Sequence, residues 1–158
     1  GVISMAFWLF KSEPFKWSWE MQKAKGEAGE EWDGIRNYQA RNIMRDKIKV
    51  GDKALIYHSS CKDVGVAGTA EVIESAYPDP DQFNPESKYF DPKADPENPR
   101  WVCVGVKFLS KFNNIVSLKT IKLTDELSEM VLVKQGRLSV QPVTAKEWKI
   151  INQLAKGN

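Results

Sequence analysis

The chain has 158 residues, 42% of them hydrophobic, and a formal net charge of +2. This length and composition predict one globular domain with its own core, and no apolar run approaches the roughly 18 residues that a membrane helix needs. The small net charge argues against a protein that binds nucleic acid by charge alone, since such binding needs a strongly basic face.

The N-terminus lacks the charged and then apolar segments of a secretory signal. We therefore expect a soluble, intracellular protein without a membrane partner, cytoplasmic or, in a eukaryotic cell, nuclear. We interpret residues 1–4, ahead of Met5, as a cloning remnant and place a single domain at residues 5–156.

The first predicted strand covers residues 7–10 and turns polar over residues 11–13 before Pro14. Proline cannot donate to a sheet ladder, so this pattern indicates a core strand with a polar tip. Ser18 is a suitable N-cap for a short helix that ends at Gly26.

The next helix opens with the sequence GIRNYQARN at residues 34–42, where Asn37 is either a polar group for a ligand or no more than the N-cap. Ala40, Ile43 and Met44 fall at helical spacing and are expected to be buried. The remaining positions carry two guanidiniums, three amides and a phenol, which is rich for a segment that only covers a core. They suit a ligand, although an ordinary solvated helix end would explain the isolated segment equally well.

Three strands follow, at residues 53–58, 64–77 and 101–112. A turn at residues 50–52 leads into the first of them. The second contains Gly65 and Gly68, which indicate a bend, a bulge or a close backbone approach. In the third, valines alternate along one face, as expected for a strand that is half-buried in a sheet.

Residues 78–99 form a long excursion that contains six of the eight prolines and has a net charge of −4, so the rest of the chain carries +6. We expect this segment to be ordered if Phe83, Tyr89 and Phe90 dock on the sheet and mobile otherwise. The charge separation leaves room for a modest basic face elsewhere.

Short helical pieces are predicted at residues 117–123 and 124–130, followed by a strand at residues 137–141 that Pro142 ends. A capping box at residues 144–147 opens the last helix. Together these elements predict an α+β, mainly β protein, in which helices pack around a small, strongly curved sheet or barrel.

Signs of catalysis are weak. With one histidine and two cysteines the chain has no finger-like zinc set, and it lacks nucleotide-binding and nucleophile-elbow motifs. We predict no metal, no cofactor and no enzyme activity. The one cluster with a nucleophile beside a base lies at residues 58–61, and neighbours on one short stretch seldom act as such a pair, because nucleophile and base usually come from separate elements. An enzyme that uses His58, with Glu13 or Asp79 brought beside it by the fold, remains the alternative.

Aromatic and polar side chains share the ends of the predicted elements. Trp32 precedes the GIRNYQARN helix, and Tyr57, His58 and Ser59 end a strand. An aromatic face gives a nucleobase a stacking surface worth about 1–3 kcal/mol, and amides or hydroxyls can pair with its edge. Equally, Trp32 could belong to the core and His58 could bond only to the backbone.

Five blocks resemble the signatures of the EVE domain family. They are WLFKSEP at residues 8–14, WDGIRNYQARN at 32–42, YHS at 57–59, AYPD at 76–79 and RLSVQP at 137–142. They occur in the family's order, and the resemblance extends from Phe7 to about Leu154. It implies a PUA-like pseudobarrel similar to the YTH domain, a strongly bent mixed sheet flanked by short helices, with the five blocks around one pocket.

The resemblance also implies a function, because YTH members read a methylated adenine and EVE members are implicated in recognising modified cytosines in DNA. We therefore expect a monomeric, non-catalytic module that holds a modified base, a 5-substituted cytosine in DNA. A reader of modified RNA is the alternative within the same fold class, and a small-molecule or protein-interaction module is a third possibility.

Site residues follow from the same resemblance. For the base we expect stacking by Trp32 and Tyr57, edge contacts from Ser12, Asn37, His58, Ser59 and Gln141, and acceptance from an exocyclic amine by Asp79. For the phosphates we expect Lys11, Arg36, Arg41 and Arg137.

Overall fold

The computed structural model describes residues 6–12, 30–32, 35–59 and 64–156. Within them, the strands are β1 (Phe7–Ser12), β2 (Glu30–Trp32), β3 (Lys53–His58), β4 (Gly65–Pro78), β5 (Val102–Ser117) and β6 (Val140–Val143). The helices are α1 (Tyr38–Asp46), α2 (Leu118–Leu123), α3 (Val131–Lys134) and α4 (Ala145–Ala155), with 3₁₀ turns at Pro80–Phe83 and Asp125–Leu127. The short helix expected between residues 18 and 26 lies outside the described residues.

The strands form one mixed sheet in the order β2-β5-β4-β3-β1-β6, which confirms the α+β, mainly β prediction. β1 and β3 are parallel, and the other neighbouring pairs are antiparallel. Lys11 therefore lies opposite Tyr57, and Ser12 lies opposite His58. The antiparallel strand β6 begins at this same end of the sheet, where the Lys11 N–H donates to the Ser139 carbonyl at 2.9 Å.

The β4–β5 pair bends, because its register shifts at four places. At Gly65 the two backbones approach so closely that a Cβ atom there would lie 2.4 Å from the Val116 carbonyl oxygen. One of the four register shifts falls between Val66 and Gly68. The glycine signals of this strand are thus confirmed as a close approach and a bulge.

Hydrophobic residues pack against both faces of the sheet. On one face, Ala40 and Met44 of α1 join a cluster that includes Phe10. On the other, Ile151 of α4 is fully buried, and Trp148 stacks on Phe7 with ring centroids 4.7 Å apart. Both faces being covered explains why several strands are apolar at consecutive positions.

Local polar signals set the ends of two helices, as predicted. The Asn37 side chain caps α1, and Thr144 and Glu147 form the capping box of α4. The turn before β3 contains Gly51 with φ of 95°, a left-handed conformation that suits glycine. No helix among the described residues combines the length and apolar character needed to cross a membrane.

Two boundaries near the C-terminus were predicted wrongly. Residues 137–139 form a turn, and β6 includes Pro142, which lies opposite Trp8. Proline is tolerated there because β6 is the edge strand of the sheet, so its missing N–H interrupts no inner ladder. The helix predicted at residues 124–130 is a 3₁₀ turn, and α3 begins only at Val131.

Candidate nucleic-acid interface

Several predicted site residues meet where β1 and β3 end. We call this region the sheet end and define it by Lys11, Ser12, Tyr57–Ser59 and the turn at residues 135–139. The Lys11 ammonium donates to the Gly136 carbonyl and lies 5.3 Å from the centroid of the Tyr57 ring. Burial lowers the pKa of Lys11, because the charged ammonium is partly removed from water.

Strand alternation divides the sheet end between the two faces. Tyr57 is 3% exposed and belongs to the cluster around Ile151, whereas Trp32 packs on the opposite face with its ring centroid 5.4 Å from that of Phe10. His58, 7% exposed, lies in register between Ser12 of β1 and Gly65 of β4. Tyr57 and Trp32, the two residues predicted to stack on the base, are therefore both buried, and they lie on different faces of the sheet.

Beside the sheet end, a cavity of about 400 Å³ separates the start of α1 from the turn. Asn37 and Gln39 line one side, and residues 134–138 line the other. The Asn37 Oδ1 accepts from the Ala40 N–H at 2.9 Å, so its capping role leaves the Nδ2 hydrogens for other partners. Arg137 is exposed here, and none of the described residues accepts a hydrogen bond from its guanidinium.

The Gln141 side chain bonds to the backbone of the turn at residues 135–139. This side chain is fully buried, and Nε2 donates to the carbonyls of Leu138 at 2.7 Å and Gln135 at 3.2 Å. Its Oε1 has no hydrogen-bond donor within the part of the chain that the structure describes. The structure thus gives Gln141 a positioning role for the segment that carries Arg137.

Arg36 and Asp79 lie in a second region, which fastens the 78–101 segment to the start of α1. Arg36 donates from Nε and Nη2 to the Tyr89 carbonyl, at 3.0 and 2.7 Å, and from Nη1 to the Ile35 carbonyl at 3.0 Å. Nη1 also pairs with Oδ2 of Asp79 at 3.0 Å, and Asp79 is fully buried. The other Asp79 oxygen accepts from the Asp81 N–H at 2.8 Å.

Aromatic rings and cations alternate through this second region. The Arg41 guanidinium lies 4.8 Å from the centroid of Tyr38, which stacks on Trp101 at 4.9 Å. On the inner side, Arg36 lies 5.5 Å from Trp101 and 5.6 Å from Tyr89. Each such contact stabilises a fold by about 0.5–1 kcal/mol at exposed positions. We call this region the loop clamp, comprising Arg36, Tyr38, Arg41, Asp79, Gln82, Tyr89, Asp91, Arg100 and Trp101.

Gln82 is a clamp residue that the sequence interpretation missed. It is fully buried; Nε2 donates to the carbonyls of Asp79 and Trp101, each at 2.8 Å, and Oε1 accepts from the N–H groups of Arg100 at 3.2 Å and Trp101 at 3.0 Å. Of the three aromatic residues expected to dock, Phe90 is 38% exposed, whereas the Tyr89 ring lies against Arg36. No local motif marks such a glutamine.

Asp91 adds a charged contact to the clamp. Its Oδ1 accepts from the Lys93 N–H at 2.9 Å and its Oδ2 from Trp101 Nε1 at 2.8 Å. These hydrogen bonds, first that of Lys93 and then that of Trp101, hold the pKa of Asp91 below its ordinary value. Arg100 lies 3.7 Å away and adds an ion pair.

The polar side chains at the start of α1 therefore lie in two different regions. Asn37 and Gln39 face the cavity at the sheet end, whereas Arg36, Tyr38 and Arg41 contact the clamp. The Arg41 Nη1 also donates to the Arg100 carbonyl at 3.0 Å. Among the described residues, the structure thus places Asn37 beside the sheet end and Arg36, Arg41 and Asp79 in the clamp. The described residues include no cluster of His, Cys, Asp and Glu that could hold a metal ion.

Comparisons with known proteins agree with this architecture. A family model described as the EVE domain matches residues 6–154. A hypothetical protein from Leishmania major has a TM-score of 0.92 and 44% identity, covering 97% of this chain and 96% of that one. Human THYN1 protein, solved in complex with 5-methylcytosine-containing DNA, has a TM-score of 0.90 and 36% identity, covering 97% and 99% of the two chains.

A more distant neighbour extends the likeness of fold. The YTH domain of the Zygosaccharomyces rouxii MRB1 protein has a TM-score of 0.54 and 14% identity, covering 97% of this chain and 88% of that one. At this identity only the fold is shared. The predicted similarity to the YTH fold is thereby confirmed.

Proposed function

Because the chain belongs to the EVE domain family, we propose that it is a non-catalytic module that binds nucleic acid through a modified base, and that this base is a 5-substituted cytosine in DNA. The observation that carries the proposal is the complex of human THYN1 protein with 5-methylcytosine-containing DNA. That protein matches 97% of this chain at 36% identity.

The sheet end offers suitable chemistry for such a ligand. Lys11 supplies a partly buried cation, and Arg137 supplies an exposed guanidinium beside the cavity. Asn37 and Ser59 provide amide and hydroxyl groups at element ends, and His58 and Trp32 are buried. In our proposal the cations contact phosphates and the polar groups contact the base edge, with Trp32 as a pocket wall. Ser12, in register with His58, and Tyr57 complete that end.

The proposal assigns no ligand contact to Arg36, Arg41 or Asp79. Arg36 and Asp79 form an ion pair with each other. Arg41 donates to the Arg100 carbonyl and to Asn42 Oδ1. A phosphate at Arg36 would have to displace bonds that the fold already makes. Gln141 is likewise proposed to position the turn rather than to read the base.

The expected selectivity is moderate. Taking a base out of a stack costs a few kcal/mol, and one additional methyl group in a pocket contributes about 1–3 kcal/mol. We therefore expect a preference of about ten- to two hundred-fold for the modified base, with weak binding of unmodified DNA. A module with few free cations should also show a shallow salt dependence.

The test is fluorescence anisotropy with oligonucleotides that differ only in one cytosine, which is unmodified, 5-methylated or 5-hydroxymethylated. The same panel is prepared as DNA and as RNA. Tighter binding of one modified DNA supports the proposal, a preference confined to RNA would replace DNA by RNA, and equal or absent binding throughout would overturn it.

Trp32→Phe probes the pocket while keeping an aromatic ring in the core. Trp148→Phe is the matched control, because Trp148 packs on the opposite face of the sheet. We expect only Trp32→Phe to reduce the preference for the modified base. Recovery of chemically unchanged oligonucleotide after incubation, in wild type and in His58→Ala alike, distinguishes the module from an enzyme that uses His58.

A further inference from the structure

A groove leads from the sheet end along α1. The cavity beside Arg137 and a second cavity of about 260 Å³ share Gln39, Gln135 and Leu138. The second cavity is lined in addition by Trp8, Ile43, Lys47, Val131 and Pro142. The two cavities thus form one groove, with α1 on one side and residues 131–142 on the other.

The charge of this groove is of one sign. Among the residues that the structure describes, its lining includes Lys47, Lys134 and Arg137 and no aspartate or glutamate. Lys134 pairs with Glu129 outside the groove, and both side chains are mostly exposed, so that pair is weak. A basic lining favours a polyanionic ligand over a neutral or basic one.

Amide and apolar groups complete the lining. Gln39 Nε2 lies 3.5 Å from Gln135 Oε1 across the groove, at the limit of a hydrogen bond, and both side chains are exposed. Such a contact opens at little cost and offers donors and acceptors to a ligand. Below it, the buried Trp8 and Leu138 give an apolar floor suited to sugars and base faces.

We propose that this groove binds the nucleic-acid strand that continues from the base held at the sheet end, an inference that rests on the proposed function. Gln39 lies in α1 and Lys47 is the C-cap residue of that helix, eight residues further on, or about 12 Å along its axis. At 3.4 Å per nucleotide, this length matches about three nucleotides of one strand. Lys47 and Arg137 contact phosphates, and the amides contact bases or sugars.

The test uses DNA oligonucleotides with one 5-methylcytosine, extended one nucleotide at a time on either side. For wild type, affinity should rise over about three added nucleotides on one side and then level off. Gln39→Glu and Gln135→Glu place a negative charge in the groove without changing side-chain size, and each should weaken binding of the long oligonucleotide about five-fold. Gln153→Glu, on the exposed face of α4, is the matched control.

Lys47→Ala adds an independent readout, with Lys149→Ala on α4 as its control. Removal of one phosphate contact should lower the slope of log affinity against log salt by about 0.9. If wild type binds but no groove variant differs from its control, the groove proposal is overturned and the proposed function stands. If wild type binds none of the oligonucleotides, both are overturned.

Discussion

Arg36 and Arg137 both lie beside the start of α1, but the protein surrounds them differently. Four of the five N–H groups of Arg36 donate to Tyr89, Ile35 and Asp79. Arg137 is exposed on its turn, and the described residues accept no hydrogen bond from its side chain. A ligand phosphate can therefore reach Arg137 freely, whereas at Arg36 it competes with the fold.

This difference shows that the hydrogen-bond acceptors around an arginine side chain determine whether it stabilises the fold or is available to a ligand. In the loop clamp each polar group stabilises the placement of residues 78–101. Beside the sheet end, by contrast, Arg137 and the amide side chains of Asn37, Gln39 and Gln135 line a cavity. Clamp variants should therefore change stability and leave DNA binding intact, whereas sheet-end variants should change DNA binding and leave stability nearly intact.

The largest expected effect is that of Gln82→Leu in the clamp. The substitution removes four hydrogen bonds to the backbones of Asp79, Arg100 and Trp101, leaving buried groups unpaired. At about 1 kcal/mol for each, the free energy of unfolding should fall by about 4 kcal/mol. Urea denaturation measures the change, and Gln153→Leu on exposed α4 should stay within about 0.5 kcal/mol. A Gln82→Leu protein as stable as wild type would contradict the clamp.

Arg36→Ala should have the next largest effect. It leaves the fully buried Asp79 carboxylate without its ion-pair partner, which costs about 3–5 kcal/mol in buried pairs. Because the Arg36 side chain is 21% exposed, we expect about 3 kcal/mol. Arg36→Lys should lose less, since it keeps the charge but not the planar fork. If Arg36→Ala instead left stability unchanged and abolished DNA binding, Arg36 would belong to the ligand site.

The elements that could be predicted from sequence depend on neighbours in the chain. Asn37 caps α1 through a bond to Ala40, and the α4 capping box joins Thr144 to Glu147, each pair three residues apart. The close backbone approach at Gly65 could be predicted from the sequence because only glycine fits such an approach. The fold was predicted from the five signature blocks together, since their order is a property of the family and not of interactions between neighbouring residues.

The remaining features depend on contacts distant in sequence. Gln82 bonds to a backbone 19 residues away, and Arg36 bonds to the Tyr89 carbonyl 53 residues away. Spacing cannot identify such partners, because any loop carbonyl could accept from a guanidinium. The same limit applied to Pro142, whose place in β6 depends on that strand lying at the sheet edge. The division of the predicted pocket into two regions followed only from the fold.

Arg137→Ala tests the sheet end with a smaller effect. Because Arg137 is exposed, the free energy of unfolding should change by less than about 0.5 kcal/mol. Affinity for every DNA in the panel should fall about five-fold, and the salt slope should fall by about 0.9, because a phosphate contact is independent of the base. Anisotropy titrations at three salt concentrations measure both. Loss of base preference, rather than uniform weakening, would instead make Arg137 a base reader.

The smallest expected effect is a pH dependence at Lys11. Burial lowers its pKa in the folded protein from the ordinary 10.5, so the folded state releases this proton at a lower pH than the unfolded chain does. Between those two pKa values the unfolded state binds more protons, and stability rises with pH. DNA affinity should fall over the same interval, because the charge that meets the phosphate is lost. Lys11→Arg, which stays protonated there, should remove both trends. Affinity that declines identically in wild type and Lys11→Arg would assign the titration to another group and exclude Lys11 from the phosphate contact.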